Sequence, residues 1–252
     1  SMAMARALGF RRAAIVTTGN HGVSCAAYAA RAGIALVVIT DARTSPEMLR
    51  MMAAFGAKVT APSMSGPVMT NATSLIGELV RDHGFYPSTM MGTAFDPANP
   101  YGVEGYKTIA FETVAQLGRA PDRVCVPTSG GDALYGPYKG FREMRDLGLI
   151  AKIPKMVACQ PHGANAAVRA MRHGMNHLPI VEPDTLALSI GDPTGSHCIL
   201  EAIRGSGGDA WDATDDEMLA ASRLLARHGV FPELSSAAPV ATLRRQVEAG
   251  AV

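Results

Sequence analysis

The 252-residue sequence has few charged residues, few aromatic residues and no long apolar run. Lys and Arg total 23 and Asp and Glu total 22, so the formal net charge is +1 and no nucleic-acid partner is expected. A run of the ~20 apolar residues that a membrane-spanning helix needs is lacking, so no membrane association is expected either. These absences favour an ordinary globular protein.

The sequence also lacks the closely spaced cysteine pairs that mark metal sites and disulfide frameworks. Three of its four cysteines lie in apolar contexts typical of strands or helices, and no secretory signal is recognisable. We therefore predict free, buried thiols and a cytoplasmic location. The four are Cys25, Cys125, Cys159 and Cys198.

Short apolar runs alternate with segments of helical spacing along the chain. This alternation predicts an α/β fold with parallel sheets wound by right-handed crossovers, in two lobes. Residues 96–102 contain two prolines and a glycine and are the best candidate linker, which gives a smaller lobe of residues 10–95 and a larger lobe of residues 96–252. The predicted buried strands are 13–16, 35–39, 58–61, 123–126, 155–159 and, as a further candidate, 186–190.

Two helix starts are marked by capping residues. Ser45 followed by Pro46 predicts a helix that ends at Gly56. Thr214 and Glu217 have the spacing of a capping box, which predicts a second helix in the last part of the chain.

The first predicted strand ends in the polar turn Thr17-Thr18-Gly19-Asn20-His21, and small residues with helical spacing follow as far as Gly33. A helix N-terminus carries free N–H groups at the positive end of its dipole, which suits a carboxylate or a phosphate. The threonine hydroxyls and the Asn20 amide add further hydrogen-bonding groups. The alternative is an ordinary strand–helix loop in which Asn20 only caps the helix.

A second strand, residues 123–126, is followed by the turn Ser129-Gly130-Gly131-Asp132, whose glycines allow close backbone approach to an anion. The alternative is a plain tight turn. Two such turns after parallel strands would face one crevice at the carboxyl ends of the strands. A third turn places Ser235 and Ser236 before another helix, where N-capping is the alternative role.

These three turns, in this order and spacing, resemble those of the fold-type II pyridoxal-phosphate enzymes, the tryptophan synthase β family, and particularly its threonine synthase-like members. The family's Ser/Thr-x-Gly-Asn turn is matched at residues 17–20. Residues 99–118 are similar to the segment that leads into the family's large domain, and residues 185–238 are similar to its C-terminal half. The resemblance covers nearly the whole chain and implies a two-lobed fold of doubly wound, mostly parallel sheets.

The resemblance implies a role for each turn. Asn20 would contact the 3′ hydroxyl of pyridoxal phosphate, the Ser129, Gly130, Gly131 and Asp132 turn would bind its phosphate, and Ser236 would contact its ring nitrogen. The substrate carboxylate would be held by Thr17, Thr18, Gly19 and His21. A neutral hydroxyl at the ring nitrogen suits β- or γ-elimination and replacement. The implied protein is a homodimeric lyase or synthase that acts on a hydroxy- or phospho-amino acid.

The sequence departs from the family pattern in two respects. The family's Schiff-base lysine lies in a Ser-x-Lys-Asp-Arg motif upstream of the first turn, and no lysine here matches it, so we expect an N-terminally incomplete fold, no catalytic lysine and impaired activity. Asp132 places a carboxylate where the family usually has neutral residues, which is unfavourable beside a phosphate. The five lysines are Lys58, Lys107, Lys139, Lys152 and Lys155.

Two functional classes remain open: a threonine synthase-type enzyme, and a catalytically inactive paralogue that keeps a crevice for a small anion or the cofactor. A general nucleotide-binding protein is disfavoured, because the sequence has neither a GxGxxG fingerprint nor a P-loop. No metal site is predicted. His173 and His177 are four residues apart, but Gly174 interrupts the helix between them, and His197-Cys198 is too isolated for a catalytic dyad.

Overall fold

The structure is a computed structural model that describes residues 1–17, 19–40, 44–60, 68–89 and 99–252, with only the backbone described for residues 68–73. The chain divides into two compact units, Ser1–Gly102 and Val103–Val252. Each unit contains one parallel sheet with helices on both faces, as the sequence predicts.

The first unit has a four-stranded parallel sheet of β1 Arg12–Val16, β2 Ala35–Ile39, β3 Lys58–Thr60 and β4 Tyr86–Pro87, in the order β3-β2-β1-β4. Its helices are α1 Met2–Ala7, α2 Asn20–Ala32, α3 Pro46–Ala54 and α4 Val68–Arg81. Both faces of the sheet are buried: Ile15 packs on one face with α2 and α3, and Ala14 packs on the other against Ile76 of α4.

The second unit has a three-stranded parallel sheet of β5 Arg123–Pro127, β6 Lys155–Pro161 and β7 Asp209–Ala213, in the order β5-β6-β7. Its helices are α5 Pro100–Leu117, whose first three residues lie before the boundary between the units, α6 Asp132–Asp146, α7 Ala166–Arg172, α8 Cys198–Ser206, α9 Asp215–Arg227 and α10 Leu234–Glu248. Alternate residues of β6 pack into opposite cores: Met156 packs with helices α6 to α8, and Val157 packs with α9 and α10.

Five of the six predicted strands are confirmed, although residue 61 lies outside the described residues. The prediction of a strand at residues 186–190 is wrong, because Leu188–Ile190 forms a 3-10 helix. The backbone N–H groups there donate to side chains and not to a neighbouring strand. Asp215 accepts from the Leu186 N–H at 2.8 Å, and Thr185 accepts from the Ala187 N–H at 3.1 Å. Strands β4 and β7 were not predicted.

The interpretation of residues 96–102 as a linker is wrong from Pro100 onwards, because Pro100 is the first residue of α5. Proline is tolerated at this position, where its missing N–H has no helical partner. Asn99 supports the start of the helix by accepting a hydrogen bond from the Tyr101 N–H at 2.9 Å. Residues 96–98 lie outside the described residues, and the lobe bounds 10–95 and 96–252 stay predictions.

Both predicted helix caps are confirmed. Ser45 accepts a hydrogen bond from the Met48 N–H at 3.4 Å, and Thr214 and Glu217 form the complete capping box. The four cysteines are free thiols; Cys25 and Cys159 are buried, and the other two are half-buried. Across the described ranges, we find no helix with the length and apolar character that crossing a membrane would require.

Candidate functional site

The turn between β5 and α6 presents an uncapped helix N-terminus. Gly131 occupies the N-cap position with φ of +114°, and because glycine has no side chain, this position supplies no capping hydrogen bond to α6. The carbonyl oxygen of Gly131 accepts from the N–H groups of Leu134 and Tyr135 at 3.0 and 2.8 Å. The first-turn N–H groups of α6 therefore lie at the positive end of the helix, where an anion is stabilised.

A second loop, residues 192–196, contacts this turn through two hydrogen bonds. The Ser129 hydroxyl donates a hydrogen bond to the carboxylate of Asp192. The Ser196 N–H donates to the carbonyl oxygen of Gly130 at 3.0 Å. Asp192 and Ser196 were not predicted as site residues, although the stretch before α8 combines glycine with polar residues as the two predicted turns do.

Two glycines allow the loops to approach. A Cβ atom on Gly131 would lie 2.6 Å from Ile199 Cγ1, and a Cβ atom on Gly195 would lie 3.2 Å from the carbonyl oxygen of Ser129. At Gly130, by contrast, a Cβ atom would point into open space. The hydroxyl of Thr194 is buried and has no hydrogen-bond partner among the described residues. The open space beside a glycine backbone and the unpaired hydroxyl in the adjoining loop fit a phosphate group.

Two carboxyl groups give this site an unusual charge. Burial raises the pKa of Asp132 to about 6; its own backbone N–H opposes this rise, and the charge of Asp192 adds to it. Burial also raises the pKa of Asp192, while the hydrogen bond from Ser129 acts to lower it. In the folded protein, Asp132 therefore still places a carboxyl group at this turn, as its position in the sequence suggested. A phosphate dianion bound here would be repelled by Asp132 and Asp192 unless their carboxyl groups are protonated.

Helix α10 brings Ser236 to the same edge of the second sheet. Near its C-terminus, Gln246 accepts a hydrogen bond from Arg123, the first residue of β5, and further back Thr242 donates to Cys159 Sγ at 3.1 Å. The helix therefore runs antiparallel to the strands, and its N-terminus lies at their carboxyl ends. Ser236 is exposed there, whereas Ser235 is buried. The role of Ser236 at a ring nitrogen stays a prediction.

In the first unit, the turn before α2 is held by Thr17. Its hydroxyl oxygen accepts hydrogen bonds from the N–H groups of Gly19 and Gly22, both at 3.2 Å. Gly19 occupies the N-cap position, so Asn20 does not cap the helix as the alternative interpretation required. The N–H groups of Gly19 and Gly22 therefore donate to Thr17, although the sequence-based prediction assigned the N–H groups of this turn to a carboxylate.

The remaining residues of this turn differ in their exposure to solvent. Asn20 and His21 are exposed in the first turn of α2, and Gly19 is buried, while Thr18 lies outside the described residues. Desolvation by the surrounding protein and the charge of the amino terminus lower the pKa of His21, even though the residue retains exposed surface. These residues belong to the first unit, and Ser129 to the second. Their assignment to one site stays a prediction.

Three of the five lysines are paired with carboxylates of the second unit. Lys107 contacts Glu143 at 2.8 Å and also pairs with Glu104, which Lys139 shares. Lys152 pairs with Asp122 at 2.9 Å. The other two, Lys58 and Lys155, are exposed strand residues.

Comparisons with known proteins agree with the resemblance. The threonine synthase of Methanosarcina acetivorans is 37% identical over 251 residues, which cover 97% of this chain and 60% of that protein. The threonine synthase of Methanocaldococcus jannaschii is 34% identical over 254 residues, which cover 98% and 60%. The chain therefore spans about three fifths of the length of these curated relatives.

Solved structures share the fold. The threonine deaminase of T.th. has a TM-score of 0.75 at 22% identity, and the match covers 99% of this chain and 77% of that one. Maize serine racemase has a TM-score of 0.74 at 17% identity, with coverage of 93% and 66%. A sequence profile described as "Pyridoxal-phosphate dependent enzyme" matches residues 2–252, so the predicted cofactor is confirmed as the one that the family uses. The chain belongs to the family of pyridoxal-phosphate dependent enzymes.

Proposed function

We propose that this protein is a pyridoxal-phosphate dependent lyase or synthase of the threonine synthase type. Its substrate would be a hydroxy- or phospho-amino acid that undergoes β- or γ-elimination or replacement. The observation that carries the proposal is the identity of 37% and 34% to two threonine synthases over nearly the whole chain. Because the chain spans about three fifths of those proteins, the activity of the whole protein belongs to the proposal.

In this proposal the second unit binds the cofactor. The N–H groups of Gly130, Gly131 and Asp132 would hold the phosphate at the start of α6, in line with the open space beside Gly130. Ser129 would act indirectly, because its hydroxyl proton is used by Asp192. Ser236 would contact the ring nitrogen as a neutral partner. When bound, the cofactor supplies an electron sink for charge that develops on the substrate.

The first unit would hold the amino acid. Gly19 and His21, with Thr17 and Thr18, would contact the substrate carboxylate, and Asn20 would orient the cofactor ring through its 3′ hydroxyl. The N–H groups at the start of α2 support this role, since a helix N-terminus stabilises a carboxylate. Thr17 would contribute by keeping the turn in shape through its two backbone hydrogen bonds.

The second candidate is a catalytically inactive paralogue that keeps the phosphate-binding turn. It is favoured by one observation: Asp132 places a carboxyl group in that turn, where the family usually has neutral residues. None of the five lysines in residues 1–252 lies in the family's Ser-x-Lys-Asp-Arg motif, which lies upstream of the first turn. A lysine in that motif would anchor the cofactor and move a proton at the substrate. Genomic DNA upstream of Met2 separates the two candidates, because an in-frame motif there would supply the anchoring amine of the enzyme.

The proposal includes a cytoplasmic homodimer. Large apolar side chains with much exposed surface on the second unit support self-association; Leu147 is 74% exposed and Phe231 is 83% exposed. The four free thiols support a reducing compartment. Sedimentation velocity over a range of concentrations tests the dimer, and a monomer throughout the range would contradict it.

The binding experiment compares pyridoxal phosphate with pyridoxal, which lacks the phosphate. If the α6 turn binds the phosphate, pyridoxal phosphate should bind at least about tenfold more tightly than pyridoxal. A tenfold difference corresponds to about 1.4 kcal/mol, which charge-assisted hydrogen bonds to the phosphate can supply. Inorganic phosphate should compete. Equal affinities for the two aldehydes would contradict the cofactor site. Formation of threonine from phospho-amino acids then distinguishes an enzyme from an inactive paralogue that binds without turnover.

A further inference from the structure

We propose that His197, Cys198 and Glu201 form a binding site for a divalent cation of the zinc class at the N-terminus of α8. Among the described residues, these three side chains bring a nitrogen, a sulfur and a carboxylate oxygen within 4.8 Å of one another. In the sequence, His197 and Cys198 are adjacent and were weighed only as a catalytic dyad. Glu201 completes the group because it lies one helical turn beyond His197.

The distances suit a tetrahedral ion after small side-chain rotations. Cys198 Sγ lies 3.9 Å from His197 Nε2. A tetrahedral zinc ion with a Zn–S bond of about 2.3 Å and a Zn–N bond of about 2.0 Å separates its sulfur and nitrogen ligands by about 3.5 Å. The two donor atoms are therefore close to a ligating separation without backbone movement.

Neighbouring side chains already orient the third ligand. The hydroxyl of Tyr135 donates to Glu201 Oε1 at 3.1 Å, and Arg142 Nη1 lies 3.5 Å from the same oxygen. Both contacts are made to Oε1 of Glu201. Partners of this kind, which hydrogen-bond a ligating carboxylate, tune the affinity of metal sites.

The ligand set selects the class of ion. Imidazole, thiolate and carboxylate together suit zinc, whereas magnesium and calcium prefer oxygen ligands throughout. A thiolate and a carboxylate neutralise the double positive charge. Three protein ligands leave a fourth position for water, and the exposed His197 and Glu201 allow the ion to enter from solvent.

The site adjoins the β5–α6 turn but is independent of the function proposed above. Ser196, directly before His197, donates to the carbonyl oxygen of Gly130, and Ile199, directly after Cys198, is the residue that a Cβ atom on Gly131 would contact. The three proposed ligands are nevertheless different residues from those assigned to the cofactor, so metal binding and cofactor binding can be tested separately.

Cobalt(II) is the probe, because it replaces zinc and reports its own coordination. The purified chain, freed of metal with a chelator, should bind one Co2+ with the strong visible bands of tetrahedral coordination and a sulfur-to-cobalt charge-transfer band. Zn2+ should displace it. Cys198→Ser should remove the charge-transfer band. His197→Ala and Glu201→Ala should each weaken Co2+ binding at least about tenfold, since even loss of an outer partner costs about 10- to 100-fold.

Matched controls make the result decisive. His177→Ala removes another exposed histidine and should leave the Co2+ affinity unchanged. Tyr135→Phe keeps all three ligands, and it should weaken binding about tenfold by releasing Glu201. Circular dichroism checks that each variant is folded. Equal Co2+ affinities in the His177, His197 and Glu201 variants would overturn the proposal, and so would a charge-transfer band that survives Cys198→Ser.

Discussion

The hydroxyl of Ser129 donates a hydrogen bond to the carboxylate of Asp192, and this bond connects the β5–α6 turn to the loop before α8. The hydroxyl proton of Ser129 is thereby used within the protein. A phosphate at this turn would depend on backbone N–H groups and would face Asp132, whose pKa the charge of Asp192 helps to raise.

Replacing Asp132 with Asn should strengthen the binding of inorganic phosphate about tenfold at pH 8, because the amide removes a like charge from the turn. Isothermal titration calorimetry measures the affinity. Asp146→Asn, at the other end of the same helix, is the matched control and should have no effect. Equal phosphate affinity in the parent protein and the Asp132 variant would show that this carboxylate does not face a bound phosphate.

The same carboxyl group should make folding stability depend on pH. Its folded pKa of about 6 lies above the ordinary value of 3.8, so between these values the folded chain binds more protons than the unfolded chain. Stability should fall as the pH rises through this interval and then stay level, with a total effect of at most about 3 kcal/mol. Urea unfolding at pH 4.5 and pH 7.5 tests this, and Asp132→Asn should be the more stable protein only at the higher pH. A stability difference that is the same at both pH values would contradict the raised pKa.

Gly131→Ala should destabilise the second unit by about 1–3 kcal/mol, since the residue has φ of +114° and the new Cβ would lie 2.6 Å from Ile199 Cγ1. Gly130→Ala is the matched control within the same turn. Its Cβ would point into open space, so the change in the free energy of unfolding should stay within about 0.5 kcal/mol. Chemical unfolding in phosphate-free buffer measures both, and equal losses would refute the packing described at Gly131.

Two glycines on facing helices should respond in opposite directions. In α6, a Cβ atom on Gly136 would lie 2.3 Å from Tyr106 Cβ and 2.9 Å from the carbonyl oxygen of Val103, so Gly136→Ala should cost about 1–3 kcal/mol. In α5, nothing lies within 4 Å of a Cβ atom on Gly105, and Gly105→Ala should stabilise the helix by up to about 1 kcal/mol. Midpoints of urea unfolding compare them, and a stabilising Gly136→Ala would rule out close α5–α6 packing.

Asp212 joins three separate parts of the second unit. Its carboxylate accepts hydrogen bonds from Asn165 at 2.6 Å and from Arg245 at 3.0 Å, and it lies 3.0 Å from His162 Nδ1. Partial burial acts to raise the pKa of Asp212, but these hydrogen bonds and neighbouring charges hold it below its ordinary value.

Asp212→Asn should therefore cost about 1–3 kcal/mol of stability at pH 7, because it removes the charge from a buried carboxylate that accepts hydrogen bonds from Asn165 and Arg245. A carboxyl group with a lowered pKa stabilises the fold above its ordinary pKa and loses that contribution as the pH falls through the folded value. The difference between the two proteins should thus shrink below about pH 4. Asp209→Asn, exposed at the other end of β7, is the control in the same unfolding assay. Equal losses at the two positions would contradict the role of Asp212.

The sequence alone determined the elements whose signals are local. Apolar runs identified β1, β2, β5 and β6, because strands buried on both faces have continuous hydrophobic sequence. Thr214 and Glu217 identified the start of α9, because a capping box involves residues three apart. The family resemblance rested on three turns of the same local kind, and the family match confirms it.

Tertiary structure decided what depends on residues far apart in the chain. Strand β7 carries two aspartates and no apolar run, and it forms because Ala210 pairs with Ala158 and Asp212 meets partners from other elements, Asn165 before α7 and Arg245 of α10. The contact of Ser129 with Asp192 spans 63 residues, so no local pattern signals it. The periodicity of a sequence indicates only which face of a helix or strand is apolar. A buried carboxylate is stable only where the folded chain places hydrogen-bond donors and positive charges beside it.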